Sequence, residues 1–237
     1  MLFRAVAASL TGFVLLQASD IRGSIVIKRK LTRYNVTVSA GLYQRGTAVP
    51  LGGDPERDPI SFERSRVAVY IEGPGGQTSD PGGPVVATME QKDRRFVPDL
   101  VVIPVGSTVS FPNLDPIFHN IFSLSASKSF DLGNYPMGET RHVTFTRPGV
   151  VALNCHLHPN MAASIVVTPN RWATRSGSDG SFVISGVPAG TYSIVAWHRV
   201  AGTFRQRVEV SEGNDASVTF VIPYKGPTAA GEIQAHR

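Results

Sequence analysis

Residues 150–161 read VVALNCHLHPNM, and this stretch decides how the rest of the 237-residue chain is interpreted. A β-branched, apolar run enters it, and a Pro-Asn pair marks a tight turn near its end. The only cysteine of the chain, Cys155, stands here with His158 and Met161 in a C-x2-H-x2-M pattern. Sulfur and imidazole side chains at such close spacing predict a metal-binding loop that follows a strand.

A second imidazole has to come from another part of the chain, and we take His119 in FPNLDPIFHN (residues 111–120) as the candidate. Two histidines, one cysteine and a weak methionine are the donor set of blue-copper electron-transfer centres. Thiolate and thioether favour Cu(I), whereas imidazole suits both oxidation states. The predicted metal ligands are therefore His119, Cys155, His158 and Met161.

Each candidate also has a simpler structural explanation. A buried His119 would ordinarily be a hydrogen-bonded core residue, Cys155 an inert buried thiol, and Met161 a side chain that fills space. His156 interrupts the ligand pattern, and strand alternation points it away from the metal. We expect His156 to be exposed or to support the ligands from outside, with a second metal contact as the alternative.

Residues 86–168 resemble a cupredoxin of the plastocyanin and amicyanin type. The resemblance covers roughly a third of the chain. It is carried by the C-x2-H-x2-M loop and by FVP at 96–98, VGSTVSFPN at 105–113, HN at 119–120 and FTRPGVVALNC at 145–155.

This resemblance implies one type 1 copper ion per chain. His119, Cys155 and His158 would be its equatorial ligands and Met161 its axial ligand. Asn120 would lie behind the ligands, hydrogen-bond near the cysteine sulfur and tie the two ligand loops together. His158 would present its ring edge at the surface, ringed by three prolines and Met161.

A second resemblance lies after this segment. Residues 178–192 (SDGSFVISGVPAGTY) resemble the carboxypeptidase regulatory-like domain, a small transthyretin-like β-sandwich. Asp-Gly favours a hairpin turn, and Pro-x-Gly favours the next turn. Strands similar to the opening strands of that domain occur at 23–26 and 67–71, before the cupredoxin-like segment.

We therefore predict that a cupredoxin domain at 85–169 is inserted into a discontinuous sandwich built from 21–84 and 170–224. Exposed loop tips tolerate such insertions. Three consecutive units are the alternative. Pairing of residues 66–71 with strands after residue 180 would favour the insertion, and a separate N-terminal core would exclude it.

The composition predicts an all-β chain, and the two resemblances imply a Greek-key cupredoxin β-sandwich plus a second small β-sandwich. It has 23 Gly, 17 Pro and 42% hydrophobic residues, and its short apolar runs recur without a helical period. The formal net charge is +5. These basic residues are scattered, which argues against a nucleic-acid partner.

The first residues predict export. Residues 1–18 carry one basic residue, an apolar run and small residues, as a signal peptide does, with cleavage near Ala18 or Ser19. The run is shorter than the roughly 20 residues of a spanning helix, so we expect no membrane span after cleavage. An uncleaved anchor is the alternative. A periplasmic or otherwise exported protein with one unpaired thiol favours a metal at that thiol. The polar tail, 225–237, is predicted to be disordered.

The predicted function is that of an exported type 1 copper protein that carries single electrons between redox partners. Similarity to methylamine-utilisation proteins would imply a dehydrogenase or a c-type cytochrome as partner. A copper-binding or delivery protein of the cell envelope is the alternative. Multicopper oxidases and nitrite reductases need further His-x-His pairs, and this chain has one, at 156–158. We therefore expect a protein that is not an enzyme.

Overall fold

The computed structural model describes residues 18–31, 58–73 and 83–222. The predicted signal peptide lies outside these residues except for Ala18, and the predicted tail at 225–237 lies wholly outside them. A strand-like run at 34–39 is also outside. Within the described ranges, no helix is long and apolar enough to cross a membrane.

The described chain is all-β, with a single short helix among its strands. In chain order the elements are β1 (Ser19–Ile27), α1 (Pro59–Arg64), β2 (Val67–Glu72), β3 (Val86–Thr88), β4 (Glu90–Lys92), β5 (Arg95–Val97), β6 (Leu100–Pro104), β7 (Thr108–Pro112), β8 (His119–Ser125), β9 (Lys128–Tyr135), β10 (Thr140–Thr144), β11 (Gly149–Asn154), β12 (Ala162–Thr168), β13 (Ala173–Arg175), β14 (Ser181–Val187), β15 (Gly190–His198), β16 (Gly202–Val210) and β17 (Ala216–Ile222).

One sandwich combines the two ends of the described chain. Its sheets have the strand orders β14-β1-β17 and β13-β2-β15-β16. β1 lies antiparallel to β14 and parallel to β17, while β2 is antiparallel to both β13 and β15. Ile21 and Val69, from early strands, share one buried core with Phe182 and Phe220, from late ones. The strands of this sandwich therefore come from both sides of the middle segment of the chain.

The other sandwich is built from the middle of the chain. Its sheets have the orders β10-β7-β3 and β6-β12-β11-β8-β9, with parallel pairs at β3–β7 and β6–β12. Alternate residues of β7, Val109 and Phe111, meet alternate residues of β11, Val151 and Leu153, in a second buried core. The period-two burial follows from the opposite directions of successive side chains in a strand.

The strand directions bring the predicted ligands to one end of this sandwich. His119 is the first residue of β8, and Cys155 directly follows β11. β8 and β11 are antiparallel neighbours, so the beginning of one lies beside the end of the other. The loop at 155–161 then leads into β12, which pairs antiparallel with β11.

The two sandwiches contact each other through a small interface. Ala68 on β2, Leu100 on β6 and Val166 on β12 form a separate buried cluster. Arg66 and Asp99 make an ion pair beside it. Arg175 Nη1 donates to the carbonyl of Leu100 at 3.4 Å. Apolar burial and polar contacts both join the units here.

Helix α1 is held to the first sandwich by a buried Glu-His pair. Glu63 Oε2 lies 3.1 Å from His198 Nε2, and both side chains are fully buried. His198 Nδ1 accepts the N–H groups of Val200 and Ala201 at 3.2 Å. The imidazole is therefore neutral, with its proton on Nε2 donated to the carboxylate. Glu63 Oε1 accepts the N–H of Leu31 at 3.0 Å, so the carboxylate is satisfied from two sides.

Candidate metal centre

Three predicted ligands converge at the end of the second sandwich. One donor atom from each of His119, Cys155 and His158 lies within 4.8 Å of the other two. The Nδ1 atoms of the two histidines are 3.1 Å apart, and His158 Nδ1 is 3.8 Å from Cys155 Sγ. His119 and Cys155 are buried, whereas His158 is half-buried. A thiol and two imidazoles therefore surround one point just below the surface.

His119 is oriented by the carboxylate of Asp115, which lies four residues earlier in the chain. Asp115 Oδ2 accepts the Nε2 proton of His119 at 2.7 Å. This contact assigns the ring proton to Nε2, so Nδ1 carries the free lone pair that faces His158. A ring nitrogen held by a carboxylate is how metal-binding histidines are commonly fixed.

Asp115 is itself anchored by the turn between β4 and β5. Asp93 and Arg94 both have positive φ, 55° and 54°, which is unusual for residues other than glycine. Their N–H groups donate to Oδ1 and Oδ2 of Asp115 at 2.7 and 2.9 Å. Burial acts to raise the pKa of Asp115, but these donors and His119 outweigh it and hold the pKa below its usual value. The carboxylate is therefore ionised where it meets His119.

Asn120 connects the cysteine to the neighbouring strand. Its backbone N–H points at Cys155 Sγ at 3.5 Å, the range of a weak hydrogen bond to sulfur. Its side-chain oxygen accepts the N–H of His156 at 3.4 Å, and its amide nitrogen donates to Asp131 at 2.6 Å. The side chain is buried. Asn120 thus contacts both segments that carry the predicted ligands.

The loop from Cys155 to Met161 is closed by a turn. Met161 N–H donates to the carbonyl of His158 at 2.9 Å, with Pro159 at the second position of that turn. Met161 is 1% exposed and packs in the same core as Cys155. Its burial corrects the expectation that it belongs to the surface rim around His158. The fourth predicted ligand is therefore held beneath the loop.

His158 is the donor nearest to solvent. Burial lowers its pKa below the usual value, and the neighbouring His119 ring and the charge of Arg94 act in the same direction, while Asp115 opposes them. A lowered pKa keeps the imidazole neutral, the form that binds a metal. Of the prolines expected around it, Pro116 and Pro159 are exposed, while Pro136 is half-buried.

His156 is exposed, as expected from the strand alternation. Its ring stacks on Phe122 with centroids 3.7 Å apart and planes inclined by 3°. Its Nε2 lies 3.6 Å from Asp131 Oδ2. Asp131 also accepts from Asn120, so the exposed imidazole is linked to the residue that contacts the sulfur.

Three residues that support the centre lie outside the ligand pattern of the sequence: Asp115, Asn113 and Asp131. Asn113 Nδ2 donates to the carbonyls of Ile117 and Tyr135, and its Oδ1 accepts the N–H of Asp115, which shapes the loop before His119. The Asn-x-Asp-Pro run at 113–116 is a turn signal that could have indicated this loop. Asp131 lies on β9, and no local pattern indicates its contact with Asn120.

The donor set fits one borderline or soft metal ion. Three donors about 2.0–2.3 Å from one ion at trigonal angles would lie roughly 3.5 Å from one another. The N···N and S···N separations of 3.1 and 3.8 Å bracket that value. Two imidazoles and one thiolate are the equatorial donors of a blue-copper site, and Met161 supplies a thioether in the same core.

No protein-family description matches the chain, and no curated protein matches it. Solved structures do. A copper-containing nitrite reductase from Thermus scotoductus is 29% identical over 36% of this chain and 23% of its own, with a TM-score of 0.34. A purple cupredoxin from Nitrosopumilus maritimus is 26% identical over 35% of this chain and 99% of its own, with a TM-score of 0.32. A methionine-to-alanine mutant of amicyanin in the Cu(I) state is 17% identical, over 42% and 97%, with a TM-score of 0.33.

Proposed function

We propose that this protein is an exported type 1 copper protein that carries single electrons between redox partners and is not itself an enzyme. The observation that carries the proposal is the convergence of His119, Cys155 and His158 within 4.8 Å. Copper, when bound, would supply a one-electron couple that a thiolate and two imidazoles stabilise in both oxidation states.

The protein residues would keep the centre rigid. Asp115 holds the ring of His119 through Nε2, and Asn120 directs its N–H at the sulfur of Cys155. Because the β-sandwich fixes both segments, the donors would not rearrange when the charge of the centre changes. Met161, buried beneath the loop, would be the weak axial donor. His158 would bring the centre close to a docked partner.

The test is the visible absorption and EPR spectrum of the Cu(II)-loaded chain, compared with Cys155→Ser. We expect an intense thiolate-to-copper charge-transfer band and a narrow parallel hyperfine splitting, both absent in the variant. Circular dichroism of both proteins controls for folding. A colourless protein, or an ordinary tetragonal Cu(II) spectrum, would contradict the proposal, because the donors would then not act together on one ion.

Copper delivery is the competing function that the same soft donors would permit. Cys155 and Met161 are 3% and 1% exposed, however, which favours a site that retains its metal. Reversible reduction at constant copper content would support electron transfer. Transfer of Cu(I) to a chelating acceptor on the time scale of mixing would support delivery instead.

The surrounding organisation belongs to the same proposal. We place the cupredoxin domain at 85–169 and the regulatory-like sandwich at 21–84 and 170–224, a division supported by the pairing of β2 with β15. We place the protein in the periplasm or outside the cell, after removal of residues 1–18. Its partner would be a c-type cytochrome or a dehydrogenase. Fractionation with N-terminal sequencing tests the location, and oxidation of the copper-loaded protein by a c-type cytochrome tests the partner.

A further inference from the structure

The first sandwich carries a group of basic side chains at one end. Residues 28–30, which read KRK, follow β1 and are all exposed, and Arg199, which follows β15, is exposed as well. The two carboxylate oxygens of the buried Glu63 bind the N–H of Leu31 and the ring of His198, so the segments on which these basic residues lie meet at one point. We call residues 28–30 and Arg199 the basic end.

Little negative charge faces the basic end. Within the part of the chain that the structure describes, residues 28–29 and Arg199 form no ion pair with a carboxylate. The exposed carboxylates of Asp58 and Asp179 interact electrostatically with Arg64 instead. The basic end therefore has an uncompensated positive charge, which attracts anionic surfaces.

The basic end adjoins the metal-bearing end of the second sandwich. His198 pairs with Val67, the first residue of β2. Arg66, directly before β2, makes an ion pair with Asp99, directly before β6. β6 pairs with β12, and β12 begins directly after the loop at 155–161. A protein of ordinary size that docks over this loop would therefore also reach the basic end.

Positive charge continues up to the metal loop. Arg94 is exposed, and its charge acts on His158. The turn that contains it, 92–95, reads KDRR, so three basic residues outweigh the carboxylate of Asp93. The basic end and this turn thus present charge of the same sign from the two sandwiches.

We propose that the basic end of the first sandwich docks an acidic redox protein, which both sandwiches then hold over the metal loop. This inference rests on the proposed function. One electron leaves the reduced centre and reduces the partner by one unit, and no proton is transferred. A flat anionic membrane held by the same end would cover the adjoining metal loop, and for this reason we favour a protein partner. Association should weaken as salt screens the charges.

The rate test uses the full, copper-loaded chain in its reduced form and one c-type cytochrome in two forms. Succinylation converts the surface lysines of the cytochrome into carboxylates, while the unmodified form stays basic. At low ionic strength, Lys28→Gln combined with Arg29→Gln should slow electron transfer to the succinylated form at least about threefold and should not slow transfer to the unmodified form. Arg199→Gln should slow the first reaction about twofold, because one attractive charge is lost.

Lys128→Gln combined with Arg147→Gln is the matched control, because it also removes two positive charges. Lys128 is the first residue of β9, and Arg147 lies between β10 and β11. Ser127 Oγ donates to the carbonyl of Val150, near the start of β11, whereas the metal loop follows the end of that strand. Both rates of this variant should equal those of the unchanged protein. Circular dichroism and the midpoint potential of each variant separate lost docking from a disturbed fold or centre.

A binding measurement on the copper-free chain does not depend on electron transfer. Decaglutamate is titrated into the protein, and backbone amide NMR signals are followed. Signals of residues 28–30 and 199–201 should shift before those of Lys128 and Arg147, and the shifts should disappear when Lys28 and Arg29 are both replaced by Gln.

Equal rates with the succinylated cytochrome in the two double variants would overturn the inference while leaving the proposed function intact. Equal slowing with both forms of the cytochrome, or a shifted potential, would also overturn it, because the basic end would then act on the centre itself. Sedimentation with phosphatidylglycerol-containing vesicles that is lost in the Lys28 and Arg29 double variant, with unchanged cytochrome rates, would assign the basic end to a membrane instead. If the unchanged protein lacks a type 1 spectrum, the proposed function fails and the redox partner with it, whatever decaglutamate binds.

Discussion

Asp115 Oδ2 lies 2.7 Å from His119 Nε2, and this buried contact links a tight turn between β4 and β5 to the candidate metal centre. The same carboxylate accepts the N–H groups of Asp93 and Arg94. Four features therefore depend on one another. The positive-φ backbone of the turn holds the ionised Asp115, and Asp115 fixes the tautomer of His119, which leaves the lone pair of Nδ1 free.

Asp115→Asn should weaken copper binding. The amide keeps the shape but loses the charge and one acceptor oxygen. Loss of such an orienting group commonly lowers metal affinity by roughly 10- to 100-fold. The midpoint potential should rise, because the negative charge stabilises the higher oxidation state more. Competition titration and voltammetry measure both. Asp179→Asn, in a surface turn where Asp179 binds Ser181, is the control and should change neither.

Met161→Leu separates an axial ligand from a space-filling residue. Both side chains have similar volume, so stability should change by less than about 1.5 kcal/mol. The blue spectrum should persist, while the potential shifts because the axial donor tunes it. Met89→Leu is the matched control, since Met89 is fully buried in the same core. Equal potentials in the two variants would show that Met161 only fills space.

Asn120→Ala should loosen the ligand segments. The buried amide connects the backbone of His156 to Asp131, and its removal leaves polar groups without a partner, at a cost of about 1–3 kcal/mol in the free energy of unfolding. Denaturant unfolding and amide hydrogen exchange at 155–158 measure this. Asn134 is the exposed residue opposite Asn120 on β9, and Asn134→Ala should change the free energy of unfolding by less than about 0.5 kcal/mol. The interpretation would be wrong if both variants lost the same stability.

Gly23→Ala should destabilise the sandwich built from both ends of the chain. A Cβ at this position would lie 2.1 Å from the carbonyl oxygen of Val218 and 2.3 Å from the ring of Phe182. Gly23 pairs with both residues from the central strand of its sheet, so backbone has to move, and we expect a cost of about 1–3 kcal/mol. Thermal unfolding measures it. Ser24→Ala on the same strand should have a much smaller effect, and equal effects would refute the close approach.

A surface ion pair predicts a pH dependence in the same sandwich. Arg205 donates to Glu72 through two nitrogens at 2.8 Å, and this hydrogen bonding lowers the pKa of Glu72. A lowered folded-state pKa stabilises the protein above the unfolded-chain value of about 4.3 and loses that effect as pH falls through the folded value.

Arg205→Gln should therefore reduce the free energy of unfolding at neutral pH only slightly, because the pair is exposed and screened by solvent. The difference between variant and unchanged protein should vanish in acid. Denaturant titrations from neutral pH down to below the folded-state pKa of Glu72 measure this difference in the free energy of unfolding. Arg207→Gln on the same strand is the control. A difference that persists unchanged in acid would assign the effect to packing instead.

Much of the strand content could be predicted from local pattern. The apolar alternation at β7, β10 and β11 is visible in the sequence because one face of each strand is buried and the other is not. β8 and β9 show no such alternation, since HNIFSLS and KSFDLGNY mix polar residues on both faces. Helix α1 shows no helical period, because six residues are too few for one.

By itself, the sequence determined which donor atoms the candidate centre offers, since the C-x2-H-x2-M spacing places sulfur and imidazole on one loop. It also determined the all-β class. Only the tertiary structure decided how distant segments combine: the antiparallel pairing of β8 and β11 places His119 beside Cys155, and β2 meets β15 across the whole middle of the chain. The supporting contacts of Asp115 and Asp131 belong to this second group. They depend on strand register and loop geometry, which arise from packing and hydrogen bonding between segments that no local pattern relates.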